Sequence, residues 1–117
     1  MNYVEFNTGE QTYKLRLDTK SVVLLERTLK KNPVVVIQEC LVKVDGKVTF
    51  QPPTVTTMMS ILHAALQHHH QGTSPDKTYE IFDAWIEDGH NVGDFQNVIL
   101  ELFYNSGLLA KGTKEKN

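Results

Sequence analysis

The residues with the most chemical capacity are His68-His69-His70, with His63 earlier in the same apolar-periodic stretch. Clustered imidazoles can hold a metal ion, but the ligands must converge on one point. Successive residues on a helix point roughly 100° apart, so three adjacent histidines diverge while the helix is intact. Only His63 and His70 share a face, and two ligands make a firm site only if a second chain completes it. No His-x-x-x-His pair or paired cysteine lies nearby, so the spacing favours solvated histidines and implies no metal or other cofactor. Glu80, Asp83, Glu87 and Asp88 set carboxylates at three- and four-residue spacing. Such groups can do acid–base chemistry or hold a cation; a solvated face of an amphipathic helix gives the same pattern, as does a docking surface for a basic partner. Cys40, the single cysteine, has no local His or basic partner and reads as a buried free thiol. Gly89 to Gly93 falls between two helical patterns and not after a strand, so it is no phosphate loop. These residues offer no catalytic constellation, and the expectation is a protein that is not an enzyme.

The elements that carry these side chains are two hairpins and a helical second half. Tyr13, Leu15 and Leu17 alternate with Lys14 and Arg16, and Asn7-Thr8-Gly9-Glu10 links them to Tyr3-Val4-Glu5-Phe6, which predicts an N-terminal hairpin. Asp18 or Thr19 can cap a helix with Val22, Leu25 and Leu29, and their neighbours Val23 and Leu24, on its buried side; Asn32-Pro33 stops it. Residues 34–41 suit two states, a strand by their β-branched run or a short helix with Pro33 at its first position. Asp45-Gly46 between alternating runs predicts a second hairpin, with Val42, Val44, Val48 and Phe50 as packing residues. Three helices follow: Val55 to His70 after Thr54, a second from Ser74-Pro75-Asp76 to Gly89 with Tyr79, Phe82 and Ile86 on its apolar side, and a third from Asn91 to Gly107 burying Phe95, Val98, Ile99, Leu102 and Phe103. Leu108 and Leu109 are expected to fold back on it. The fold class is therefore α+β, an N-terminal β-hairpin or small antiparallel sheet followed by a mainly α-helical bundle. One domain is expected over residues 1–109, with 110–117 a disordered tail.

Composition narrows the function classes. The chain has 117 residues, 12 Lys+Arg against 14 Asp+Glu and 40% hydrophobic residues, which suits one soluble core and lacks the basic face of a nucleic-acid binder. No apolar run approaches the roughly 20 residues of a membrane span, and the first residues lack a secretory signal, so the expected location is the cytoplasm, without membrane partners. Residues 51–75 hold no Lys, Arg, Asp or Glu, while residues 76–101 hold seven acids against Lys77 alone. A charge-free stretch predicts an element covered on most sides, by its own core or by a partner.

The order of pieces is the most specific signal. Asn2-Tyr3-Val4-Glu5-Phe6, Tyr13-Lys14-Leu15-Arg16-Leu17, Ser21-Val22-Val23-Leu24-Leu25-Glu26, Ile61-Leu62-His63-Ala64-Ala65-Leu66-Gln67 and Val98-Ile99-Leu100-Glu101-Leu102-Phe103 with Ser106-Gly107-Leu108 resemble the tail assembly chaperones of long-tailed bacteriophages and prophages of Gram-positive bacteria. The resemblance covers about residues 2–109 and leaves the hairpin around Asp45-Gly46 unmatched. It implies a non-enzymatic protein of the infected or lysogenic host cytoplasm, absent from the mature virion. Its partner would be the helical, aggregation-prone tape-measure protein, held soluble until tail-tube subunits polymerise around it. It also implies a longer form made by ribosomal frameshifting near the end of this one, and no cofactor.

A holdase needs apolar surface of its own, hidden by self-association when the client is absent. The uncharged helix predicts that surface at Val55, Met58, Met59, Leu62 and Leu66, in a homo-oligomer or against the client, with the acidic helix keeping the assembly soluble. The same pattern equally suits the central core helix of a monomer. Two other classes share the size and makeup. A tail-completion or connector subunit would remain in the finished particle. A winged-helix DNA-binding regulator is disfavoured by a third helix with Asp94 and Glu101 and no Lys or Arg.

Overall fold

The computed structural model describes residues 2–109; the tail expected at 110–117 lies outside the described residues. Strand β1 (Val4–Asn7) pairs antiparallel with β2 (Thr12–Leu15), Val4 opposite Leu15 and Phe6 opposite Tyr13. Alternation puts Val4, Phe6 and Leu15 on the buried face. The turn is closed by the Thr8 amide donating to the Gln11 carbonyl at 2.9 Å and by the Gly9 amide donating to Asn7 Oδ1 at 2.7 Å. Helix α1 (Thr19–Leu29) starts at Asp18, whose side chain accepts from the Ser21 amide.

The open choice over residues 34–41 is settled as helix up to Glu39. Asn32 caps α2 (Pro33–Glu39) by accepting from the Val34 amide, Pro33 occupies the first turn, and Val36 and Ile37 are buried. A cap plus N1 proline outweighs the β preference of the valines. Strand begins only at β3 (Leu41–Val44), which pairs with β4 (Lys47–Phe50) through Asp45 and Gly46 at φ 52° and 78°, the two positive angles that a tight hairpin turn requires.

The packing expected of this hairpin needs correction. Val42 and Phe50 are half-buried, but Val44 and Val48 are 47% and 65% exposed. Among the described residues the two sheets do not join; Phe50 packs against the core, while Val44 and Val48 nearest the turn are left uncovered.

Helices α3 (Val55–Leu66), α4 (Pro75–Glu87) and α5 (Val92–Ser106) complete the described chain. Thr54 and Ser74 cap α3 and α4, and Asn91 with Asp94 forms a reciprocal capping box on α5. Helix α3 ends at Leu66, four residues before the expected His70. Gln67 closes it with its own side chain, whose Nε2 donates to the His63 and Thr73 carbonyls at 2.9 and 3.0 Å while Oε1 accepts from the Gly72 amide at 3.1 Å. Beyond α5, the Leu109 amide donates to the Phe103 carbonyl at 3.1 Å, and both leucines pack against the core as expected. One cluster of buried residues runs from Val4 to Phe103, with Ile61, Leu62, Ala65 and Leu66 of α3 fully covered. Phe6 stacks on Trp85 at 4.7 Å and meets Phe95 edge-on at 6.0 Å, tying the N-terminal hairpin to α4 and α5. The architecture is α+β, two small antiparallel hairpins with five helices among the described residues.

Candidate functional site

Helix α3 has two apolar stripes. Met58, Leu62 and Leu66 point into the core at 1%, 0% and 0% exposure, so the expected interface on these three is corrected: they are already covered within one chain. Val55 and Met59, one turn apart, lie on the other stripe with His63. That stripe lines an open groove of about 490 Å3 together with Tyr79, Phe82 and Asp83 of α4 and Thr28 of α1. Val55 and Tyr79 flank the groove at 58% and 48% exposure, and Met59 and Phe82, each 8% exposed, floor it.

Two hydroxyls in this groove are already bonded back to their own helices. The Ser60 hydroxyl donates to the Thr56 carbonyl at 3.1 Å, and the Thr28 hydroxyl donates to the Leu24 carbonyl at 2.9 Å. A hydroxyl bonded back to its own helix can be covered by an apolar partner without losing its only hydrogen bond. The groove therefore combines an apolar floor, an exposed rim and two hydroxyls that an apolar partner can cover cheaply, features that suit an amphipathic helix. Acids flank it on α4, where Asp76, Glu80, Asp83 and Glu87 are all exposed and Lys77 pairs with Glu80 at 3.8 Å.

Sequence reasoning missed Tyr79 and Phe82 as groove residues because both fit the apolar side of α4. The signal that separates them is angular. Tyr79 lies three residues after Asp76 and four before Asp83, on the acidic stripe, whereas Ile81 and Trp85 project into the core at 3% and 4% exposure.

The histidines do other work. They lie in the turn after α3, and each meets the N-terminal elements. His68 Nδ1 is 2.6 Å from Asp18 Oδ2, and its Nε2 is 3.4 Å from Arg16 Nη1; both bonds are satisfied with the proton on Nδ1. The Lys14 amide donates to His70 Nε2 at 3.0 Å, and the His70 ring meets Tyr13 edge-on at 5.1 Å. His69 meets the Tyr3 ring at 5.7 Å. This turn is therefore a latch on strand β2 and the start of α1, which the Arg16 amide extends by donating to the Ala65 carbonyl at 2.9 Å.

The electrostatics follow the contacts. Partial burial acts to raise the Asp18 pKa, but the Ser21 amide and hydroxyl and the His68 ring outweigh it and hold the carboxyl at about 2. Burial and the Lys14 charge push His70 below the usual histidine value, consistent with a ring nitrogen that must accept a hydrogen bond. His69 is lowered by desolvation, with the charges of His68, Lys14, His70 and Arg16 adding to it. Cys40 is buried, and desolvation with Glu39 beside it pushes its thiol up, the wrong direction for a nucleophile. His90 stacks flat on Trp85 at 4.5 Å between Asp88 and Asp94. Among the described residues, no three His, Cys, Asp or Glu side chains come together as metal ligands, and no helix is long and apolar enough to cross a membrane.

These features define a class: a small α+β domain with an apolar, acid-flanked groove between two helices. Residues 4–117 match the model of a family of unknown function, DUF6096, and the chain belongs to that family. No curated protein and no solved structure matches the chain.

Proposed function

We infer that this protein is a tail assembly chaperone of the long-tailed phage kind, which holds the tape-measure protein soluble by seating one of its amphipathic helices in the groove between α3 and α4. The observation that carries the reading is the groove itself, with Val55 and Tyr79 exposed beside the buried floor of Met59 and Phe82. Asp83 and its neighbours on α4 favour a client helix with Lys or Arg beside its apolar stripe. The sequence resemblance over residues 2–109 supplies the client's identity and the setting in the host cytoplasm. In that setting tail-tube subunits and a frameshifted longer form would be further partners, and no cofactor takes part.

The test is co-expression with the tape-measure protein from the same tail-gene cluster, with wild type and with Tyr79→Lys. Met59→Asp is a poor probe, because a charge at an 8% exposed position would damage the fold as well as the groove. Soluble co-purification with wild type, lost with a folded Tyr79→Lys, supports the reading. A client equally insoluble with and without the chain refutes it and turns attention to purified virions, where a structural subunit would be found.

A further inference from the structure

The second hairpin has no part in the groove, yet it shows the opposite half of a contact. Six of its eight strand residues are exposed; Leu41 and Val48, on one face by the register, stand 49% and 65% open, and Val44 on the other face stands 47% open. It is a two-stranded sheet with no third strand among the described residues, and a lone hairpin is marginally stable in water. Its register is already set by the Asp45-Gly46 turn, so these aliphatic side chains are not needed to align the strands. The strands carry Lys43 and Lys47 and no acid, with Asp45 confined to the turn. The groove offers what this hairpin lacks: apolar Val55, Met59, Tyr79 and Phe82 beside the acids of α4.

We propose that the β3–β4 hairpin of one copy docks in the α3/α4 groove of a second copy. Val48, the most exposed of the three, is the anchor, and Lys43, its cross-strand partner, meets the acidic wall at Asp83. Hairpin and groove are different surfaces, so the contact is heterologous and runs head to tail, into a ring or an open chain. In regulating the site this rests on the groove reading above: the hairpin covers the groove until a client helix displaces it.

The experiment compares wild type, Val48→Glu and Tyr79→Lys by light scattering across a concentration and salt series, each with its circular dichroism spectrum. Leu41→Lys and Val55→Lys serve as second variants for either surface should one fail to fold. The wild type is expected to gain mass with concentration and lose it with salt, and each variant alone to remain a monomer. An equimolar mixture of Val48→Glu and Tyr79→Lys retains one good groove and one good hairpin, so its mass is expected to double. A wild type that is monomeric throughout overturns the proposal, as does a mixture no heavier than its parts. So does a Tyr79→Lys that associates like the wild type, which points to pairing of hairpin with hairpin. Client solubility separates the two ideas. If Tyr79→Lys loses the client but the mixture stays monomeric, the hairpin proposal falls and the groove reading stands. If the mixture pairs while the wild type leaves the client insoluble, the hairpin contact stands and the chaperone reading falls.

Discussion

Asp18 joins three parts of the fold through two oxygens, which makes its replacement the sharpest check on the latch. Oδ1 accepts from the Ser21 amide at 2.8 Å, capping α1, and Oδ2 meets His68 Nδ1 at 2.6 Å. Loss of an N-cap costs about 1 kcal/mol. The His68 contact, with side chains 34% and 24% exposed, adds ~0.5–1 kcal/mol. Asp18→Ala should therefore destabilise by ~1.5–2 kcal/mol. The depressed pKa gives an independent check. A fall from 3.8 to about 2 is equivalent to ~2 kcal/mol, and discounting for partial exposure leaves ~1–2 kcal/mol.

Asp18→Asn keeps a good capping oxygen and removes only the charge, so it should cost about 0.5–1 kcal/mol. Urea unfolding of wild type, both Asp18 variants, His68→Ala and the Asp18→Ala/His68→Ala double variant measures each quantity, with a coupling of ~0.5–1 kcal/mol expected between the two sites. Because the folded pKa lies below the unfolded one, the Asp18 contribution is present above pH 3.8 and is lost as the pH falls toward 2. Equal costs for Asn and Ala would refute the capping argument. A coupling indistinguishable from zero would refute the latch at His68.

Four further outcomes follow from the packing. His70 has a lowered folded pKa, so the protein should lose stability as pH falls below the unfolded histidine value of about 6.5; His70→Gln, which keeps an acceptor for the Lys14 amide, should flatten that slope in thermal melts at pH 5 and 8. Leu62→Ala, at a side chain with 0% exposure, should cost about 2–5 kcal/mol in urea unfolding, whereas Val55→Ala at 58% exposure should cost under about 0.5 kcal/mol. Gly9→Ala should destabilise by roughly 1–2 kcal/mol, because Gly9 sits at φ +90° and an added Cβ would lie 2.6 Å from Asp88 Oδ1. Cys40 should react with iodoacetamide at neutral pH only as fast as the protein unfolds, since burial both hides the thiol and keeps it protonated.

Legibility in the sequence followed locality. Both hairpins, the caps at Thr54 and Ser74, the helix start near Asn91 and the return of Leu108 and Leu109 depend on residues a few positions apart, so pattern alone located them; between Asp18 and Thr19 as the first cap it left the choice open, and the structure takes Asp18. The choice over residues 34–41 stayed open because two local signals compete there, the Asn32 cap with Pro33 against the β-branched run Val34-Val35-Val36-Ile37, and pattern alone does not weigh one against the other. The histidines illustrate the limit of locality. Spacing denied them a common point on an intact helix, but helix α3 stops at Leu66, and their partners Lys14, Arg16 and Asp18 lie some fifty residues earlier. Of the five residues assigned to the interface, only Val55 and Met59 line the groove, because the apolar pattern of α3 marks two stripes and periodicity does not say which one the rest of the chain will cover.

The absence of charge from residues 51–75 is explained by that doubling. A surface helix needs one apolar face and can place Lys or Glu on the other. In α3 the face bearing Met58, Leu62 and Leu66 is closed by the core, while the face bearing Val55 and Met59 is closed only in part by α4. Thr56 and Ser60 flank the second stripe on the side away from the first and line the groove, and the Ser60 hydroxyl is already engaged by the Thr56 carbonyl. If the groove were permanent solvent-exposed surface, a charge at 56 or 60 would be tolerated at almost no energetic cost. A partner that dries the groove would turn the same charge into a large desolvation penalty. Thr56→Lys and Ser60→Lys should therefore leave stability nearly unchanged yet abolish whatever association the groove supports; if they spare it, the groove stays wet and the uncharged character of this helix belongs to the monomer core alone.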